Sequence, residues 1–316
     1  MKRVNQYSAS LLAFLCCFST AIQAVETIAT VDIAQLRPTQ MSLGFDEVRL
    51  NAQQYRLHPQ KMFEDYCQDN GGGKLLHAGS KASLTDPASF SCQQPMGTRV
   101  NDIKSAVLAP DGHYYLTDGH HSVSAYRAIY TQAGVPMRVR VTQDLRYLPN
   151  MSSFWQYLQQ HHLSWLPEKK MMPNTLPTHI GMADLNNDVY RSVVYFLRKV
   201  AYQRPHNPPP FLEFYLADWL RQHLPVPDEM TCHSESYKMY VQQAALVLTQ
   251  ADKQQASSQR PGAPSLAQLG VYDQVNQVQL NKLLAKHGKL DRLFQLPDQR
   301  ENGCCGTTIH SACSGL

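Results

Sequence analysis

The stretch from Asp111 to Tyr126, which reads DGHYYLTDGHHSVSAY, decides the fold. It opens with Asp-Gly, a common turn pair, and residues 113–117 are rich in Tyr, Leu and Thr, which favour a short β-strand. The Asp-Gly pair at Asp118 ends that strand, and from Ser122 onward apolar residues recur at helical spacing. The sequence therefore predicts a strand, a tight turn and a helix in succession.

The turn carries groups suited to an anion. At the start of a helix the backbone N–H groups are free and the helix dipole is positive, so Gly119 and Ser122 lie where a phosphate would bind. Asp118, His120 and His121 add a carboxylate and two imidazoles, which suit proton transfer, phosphate binding or metal binding. An ordinary turn followed by a helix-capping histidine would have the same sequence, and spacing alone does not separate these interpretations.

The first residues predict export. The chain of 316 residues starts with Lys2 and Arg3, followed by an apolar run at 11–18 and small residues up to Ala24. This is the pattern of a signal peptide cleaved after Ala24, and the run is too short for a membrane span. We expect a periplasmic or secreted protein without a membrane span.

The cysteines support the same location. Two of the eight lie in the signal segment, and the remaining six are Cys67, Cys92, Cys232, Cys304, Cys305 and Cys313. An even number of cysteines in an exported protein predicts disulfides. Cys67 and Cys92 are the expected local pair because they bracket a loop-rich segment, and the others would pair among themselves. Adjacent cysteines space zinc ligands poorly, so no metal site is predicted, although a divalent-metal requirement stays open.

The order of predicted elements indicates an α+β fold. A strand, a helix, a hairpin, a helix and a strand form an α+β domain over 25–148, with a loop insertion at 67–98. A helical domain follows at 149–250, then a Gln-, Ser-, Pro- and Gly-rich segment at 251–265 that we expect to be a flexible linker. The rest, 266–316, is predicted to hold a C-terminal helix and a Cys-rich tail. The net charge of +4 permits contact with nucleic acid but does not argue for it.

A second candidate group follows the first strand. The planar guanidinium of Arg37 could clamp a phosphate, with Thr39 as a further contact and Gln40 in support. The alternative is an arginine that stabilises a turn. Pro38 is expected to end regular strand pairing here.

A third group lies in the helical part. Asp188 stands at a predicted helix start, where carboxylates commonly cap, and the same helix could point Arg191 back at the first domain. Glu213 is expected to give structural support. A calcium loop is rejected because the glycine and the distal glutamate that it requires are missing.

In this order, the segment Arg37–Gln40, the turn Asp118–His121 and the block from Asp188 resemble the ParB/sulfiredoxin superfamily, in its branch of ParB-like proteins and nucleases. The resemblance covers about residues 28–225. It implies an α+β core whose Asp-Gly-His-His turn faces a phosphate-bearing ligand, a nucleotide or nucleic acid. The residues carried over are Arg37, Asp118, His120 and His121, and less directly Asp188 and Arg191.

Two departures narrow the expected function. No helix-turn-helix region follows the core, and export also argues against chromosome partitioning. Sulfiredoxin has a cysteine in this turn, whereas Gly119 and His120 stand here. We therefore expect a phosphate-binding protein that hydrolyses phosphodiesters, with one histidine as base, the other as acid, and Arg37 holding the developing charge. The alternatives are a non-catalytic nucleotide- or anion-binding protein and, if the protein is delivered into a cell, a nucleotide-dependent small-molecule kinase.

Overall fold

The computed structural model describes residues 26–131, 134–167, 176–227, 230 and 233–295. The strands are β1 (Thr27–Asp32), β2 (Arg37–Pro38), β3 (Ser42–Leu43), β4 (Leu75–Ala78), β5 (Phe90–Cys92), β6 (Ser105–Leu108), β7 (Tyr114–Leu116), β8 (Pro136–Asp144) and β9 (Asn186–Asn187). The helices are α1 (Phe45–Leu57), α2 (Pro59–Asp69), α3 (His120–Ile129), α4 (Met151–Gln160), α5 (Val189–Leu197), α6 (Leu212–His223), α7 (Ser234–Gln250), α8 (Gln277–Leu284) and α9 (Lys289–Phe294). The predicted α+β class is confirmed.

A five-stranded mixed sheet forms the N-terminal part, in the order β1-β8-β6-β7-β2. β6 and β7 are the predicted hairpin, and β8 pairs antiparallel to β1 and parallel to β6. Pro38 does not end the pairing as expected, because Arg37 and Pro38 run parallel to Tyr115 and Leu116 at the sheet edge. An edge strand tolerates a proline because its missing N–H is not needed there.

Helices cover both faces of the sheet and then continue as a helical layer. α1, α2 and α3 share a core with one face, whereas Phe154 and Leu158 of α4 pack on the other. Helices α5–α9 surround a second core. α1 joins the two, because Val48 is buried in the sheet core and Leu50 in the helical core.

The insertion is more ordered than a loop. β4 and β5 pair as a hairpin, and Cys67 and Cys92 form the disulfide expected from the sequence, with a Cα–Cα distance of 5.6 Å. The predictions for the signal segment, for the remaining cysteines and for a tail metal site concern residues outside the described ranges. Within the described ranges, no helix is both long and apolar enough to cross a bilayer.

Two further segments differ from expectation. The helix predicted from Asp188 to Tyr202 ends at Leu197, and Lys199 then adopts a positive φ of 67°. Residues 251–265 are not an extended linker: Ser257 donates to the carbonyl of Pro264, and Ser258 donates to Asp218 of α6. These hydrogen bonds hold the segment against the helical layer although its composition is that of a linker.

Candidate functional site

The strand-to-helix turn is built as the sequence predicts. The backbone N–H groups of Thr117 and Asp118 both donate to the carbonyl of Ser105, at 2.8 and 3.3 Å. Gly119 then takes a φ of 92°, and α3 starts at His120 without a side-chain cap. A Cβ at Gly119 would lie 2.6 Å from Cγ of Lys104. Glycine is therefore required both for the left-handed backbone and for the close passage of the lysine.

Gly119 lies between the Asp118 carboxylate and the ion pair that Lys104 forms with Asp69. The Asp118 side chain is exposed, while Lys104 Nζ lies 3.0 Å from Oδ1 of the buried Asp69. Burial alone would lower the pKa of Lys104, but Asp69 and Asp118 outweigh it and raise that pKa. Lys104 therefore stays cationic beside the turn.

His120 is buried within the turn. Its side chain is 2% exposed, and its Nε2 accepts a hydrogen bond of 3.1 Å from the Thr39 N–H. Burial lowers the pKa of His120 to about 3, against a smaller opposing effect of Asp118. The imidazole is neutral near pH 7, with its proton on Nδ1, and it ties the segment after β2 to α3.

His121 makes the corresponding bond to the start of α1. Its Nε2 accepts from the Gly44 N–H at 3.0 Å and lies 3.8 Å from Oε2 of Glu47. Burial, followed by the positive charge of Arg191, lowers the pKa of His121 well below its ordinary value. Both histidines thus use the lone pair on Nε2 to accept from backbone, and their acid–base role stays a prediction.

Three arginines and two glutamates gather beside the turn, and we call them the arginine cluster: Arg191, Arg198, Arg204, Glu47 and Glu213. Arg191 Nη1 lies 3.0 Å from Glu47 Oε2, Arg198 Nη2 lies 2.7 Å from Glu213 Oε1, and Arg204 Nε lies 3.6 Å from the same oxygen. The two carboxylates therefore neutralise only two of the three guanidinium groups, and the cluster carries surplus positive charge.

Arg191 is the most buried member. It is 5% exposed, and although its Nη1 is close to Glu47, the two are not aligned for a hydrogen bond, so Nε and Nη1 have no hydrogen-bond partner among the described residues. Burial alone would lower the pKa of Arg191, but Glu47 and Glu213 raise it. The guanidinium stays charged and keeps donors unused, as a group that holds an anion would.

Glu213 is the shared counter-charge. Burial would raise the pKa of this carboxyl, but Arg191, Arg204 and Arg198 outweigh burial and lower it. The carboxylate is therefore ionised at neutral pH. The structural support expected of Glu213 thus has a physical basis, because without it the arginines would repel one another.

The cluster and the turn are electrostatically one region, which we call the α3 site: Asp118, Gly119, His120 and His121 together with the arginine cluster. The charges of Arg191 and Arg198 lower the pKa of His121, and that of Arg204 acts on Lys104. Gly44 makes this approach possible, since a Cβ there would lie 2.9 Å from the backbone nitrogen of Ser192 in α5.

Other predicted residues have structural contacts. Thr39 is fully buried and its hydroxyl donates to the Leu116 carbonyl, while Gln40 donates to the Ser42 carbonyl. Asp188 caps α5 by accepting from the Arg191 N–H, and its other oxygen lies 2.8 Å from Arg221 of α6. Ser122 is half-buried in the first turn of α3.

Arg37 lies in a different place. Its Nη2 is 3.0 Å from Nε2 of His113, and it lines a cleft of about 460 Å³ together with His113, Tyr114 and His179. Arg37 pairs with Tyr115 in the sheet, three residues before Asp118. The side chain of Arg37 therefore contacts His113, just before β7, and not the two histidines of the turn.

Sequence reasoning missed Glu47, Arg198, Arg204 and Lys104. Glu47 lies in α1, and Arg198 directly follows α5. Arg204 lies in the segment between α5 and α6, and Lys104 directly precedes β6, so no local spacing links the four residues. The one available signal was the acidic first turn of α1. In the parts of the chain that the structure describes, no three His, Cys, Asp or Glu side chains group closely enough to hold a metal ion.

Comparison with known proteins supports the family resemblance. Residues 29–222 match the sequence profile of the family described as "Putative ParB-like nuclease". The chain belongs to this ParB-like family. No curated protein matches it. Among solved structures, the crystal structure of protein Atu1540 from Agrobacterium tumefaciens is similar, with 21% sequence identity and a TM-score of 0.46, covering 70% of this chain and 89% of that one.

Proposed function

We propose that this ParB-like protein binds a phosphate-bearing ligand, a nucleotide or nucleic acid, at the α3 site and hydrolyses a phosphodiester there. The observation that carries the proposal is the surplus positive charge of the arginine cluster beside the uncapped start of α3. Free N–H groups and a positive dipole favour an anion at that helix end. Arginines supply fork-shaped donors for phosphate oxygens.

The chemistry must suit neutral histidines. An imidazole whose Nε2 accepts from backbone cannot take a proton there without losing that hydrogen bond. We therefore propose that His120 and His121 position the turn. The exposed Asp118 accepts the proton of the attacking water, and the water oxygen bonds to phosphorus. The ester P–O bond breaks, and the leaving oxygen takes its electron pair and is protonated by solvent water. Arg198, Arg204 and Lys104 would stabilise the charge that develops on the phosphoryl oxygens.

The family description favours phosphodiesters of nucleic acid as the substrate class. A nuclease needs only water as its second reactant, which fits the proposed location outside the cytoplasm. We propose export because the disulfide between Cys67 and Cys92 is a bond that persists in oxidising compartments. Cell fractionation with N-terminal sequencing of the mature chain tests this, and a cytoplasmic chain that retains residues 1–24 would contradict it.

The binding test is a thermal-shift titration of the purified protein with inorganic phosphate, AMP and a ten-residue oligodeoxynucleotide. A ligand at 100 times its Kd stabilises the folded state by about 2.7 kcal/mol. We expect stabilisation of the wild type and a weaker effect in Arg204→Gln. Arg146→Gln is the matched control, because Arg146 is 60% exposed and pairs only with Asp144 among the described residues. If none of the three ligands stabilises the wild type, the proposal is overturned.

Turnover is tested separately on labelled DNA and RNA. Asp118→Asn is expected to keep ligand binding and to lose cleavage, because it removes the base but not the cations. If the wild type binds the oligonucleotide and cleaves neither polymer, the protein is a non-catalytic phosphate-binding member of its family.

A further inference from the structure

A lysine from the C-terminal helix reaches the same charged region. Lys289 is the first residue of α9, which lies beyond the residues 29–222 that match the family. The helix is anchored by the fully buried side chains of Leu290 and Leu293, and α9 packs against α1 and α7. The position of the lysine is therefore fixed by the helical core.

The amine of Lys289 lacks a counter-ion. Its Nζ lies 3.5 Å from the ring centroid of Tyr195 and 5.9 Å from that of Phe196. Among the described residues, the amine forms these contacts with aromatic rings but no ion pair and no hydrogen bond. An aromatic face stabilises a cation but accepts no conventional hydrogen bond. The three N–H donors of the amine thus have no protein acceptor among the described residues, and Lys289 is half-buried.

Two of the three charges that act on this amine belong to the α3 site, and the third is that of Arg292 in α9 itself. Burial lowers the pKa of Lys289 to about 8; Glu47 of α1 opposes this, while Arg198 at the end of α5 and Arg292 of α9 add to it. Glu47 is also the carboxylate beside His121 and Arg191. Lys289 therefore adds a fourth cation to the arginine cluster, whose three arginines already outnumber its two carboxylates.

We propose that the ε-amine of Lys289 is a further contact for the phosphate-bearing ligand, so that the C-terminal segment completes the α3 site. This rests on the proposed function. Donors without a protein acceptor and a surplus of cations both suit a phosphate oxygen. One consequence is a pH dependence: the amine is a cation below about pH 8 and loses its charge above it, whereas the arginines stay charged.

The experiment is isothermal titration of the full mature chain with a ten-residue oligodeoxyadenylate from pH 6.5 to 9. Its phosphodiesters keep their charge over this range. The variants are Lys289→Met, Lys289→Arg and, as matched control, Lys282→Met, which changes an exposed lysine of α8. A hydrogen bond to a charged group contributes enough for Lys289→Met to weaken binding at pH 7 about tenfold.

The pH profile separates ligand contact from a structural role. The wild type and Lys282→Met should lose affinity between pH 7.5 and 9, Lys289→Met should be weak at every pH, and Lys289→Arg should bind without that loss. Removing a half-buried charge should not lower the Tm of Lys289→Met. If the wild type binds and Lys289→Met shows the same affinity and profile, the role of Lys289 is refuted and the proposed function stands. If the wild type binds no oligonucleotide but is stabilised by phosphate or AMP, the contact of Lys289 with a nucleic-acid phosphate is refuted and the proposed function stands; if none of the three ligands binds, both fail.

Discussion

The buried carboxylate of Glu213 allows the sharpest test of the arginine cluster. Glu213→Gln keeps the size of the side chain and removes the charge that faces Arg198 at 2.7 Å and Arg204 at 3.6 Å. Removing one partner of a buried ion pair costs about 3–5 kcal/mol. Because Arg198 is 33% exposed and water screens part of its charge, we expect a loss of about 2–3 kcal/mol. For a chain of this size, that lowers Tm by about 4–12 °C.

The assay is urea and thermal unfolding of Glu213→Gln beside a control. Glu235→Gln removes a carboxylate that also pairs with a cation, Lys238 at 2.9 Å, but is 80% exposed. Exposed pairs contribute about 1 kcal/mol or less, so the control should unfold close to the wild type. If Glu213→Gln is no less stable than Glu235→Gln, the arginines do not depend on this carboxylate.

The same variant also tests the anion site. Without Glu213 the surplus positive charge of the cluster grows, so inorganic phosphate should bind more tightly and restore part of the lost stability. We expect millimolar phosphate to raise the Tm of Glu213→Gln more than that of the wild type, with no such difference for Glu235→Gln. Equal shifts in all three proteins would place the phosphate elsewhere.

Three further predictions concern the turn and the insertion. Burial lowers the pKa of His120 from 6.5 to about 3, so between those values only the unfolded chain gains this proton, and stability falls by up to about 1.4 kcal/mol per pH unit as the pH drops below about 6.5. Because the pKa of His121 is lowered as well, His120→Gln should reduce the acid slope in urea titrations by up to that amount and not abolish it. Gly119→Ala should cost at least about 1 kcal/mol more than Gly112→Ala, because both have positive φ but only Gly119 faces a side chain within 4 Å. Replacing Cys67 and Cys92 by serine should cost about 3 kcal/mol, measured against the oxidised wild type.

Each of these has a contradicting result. An acid slope in His120→Gln that equals that of the wild type would assign the lost protons to other groups. Equal costs at the two glycines would mean that the lysine side chain moves aside freely. If the serine variant has the same free energy of unfolding as the oxidised wild type, the hairpin of the insertion does not depend on the disulfide.

Local patterns were sufficient where the structure is local. The hairpin of β6 and β7 and the start of α3 were predicted because turn pairs and apolar spacing lie within a few residues of one another. β2, β3 and β9 are two residues long and exist only through partners far along the chain, so no periodicity could reveal them. The segment 251–265 has the composition of a linker, and the contacts that order it come from α6 and from its own backbone.

The candidate site divides in the same way. The turn itself was predictable because its glycine, carboxylate and imidazoles are adjacent. Glu47, Arg198 and Arg204 were not, because each is an ordinary charged residue, near a helix end or in a loop, until folding brings it to Glu213 or His121. Arg37 had the right residue type for a phosphate clamp, but the register of β2 against β7 directs it to His113.

The division of charge in the α3 site has a physical logic. His120 and His121 are neutral, so they can accept backbone hydrogen bonds and hold the turn without adding to the repulsion among the cations. Glu47 and Glu213 keep the arginines charged and near one another, which burial alone would oppose. The guanidinium groups that carry the remaining positive charge are then held in fixed orientations before any ligand arrives. Because such preorganised donors need no rearrangement when charge develops, under the proposed function we expect them to favour a highly charged phosphoryl group over a simple monovalent anion.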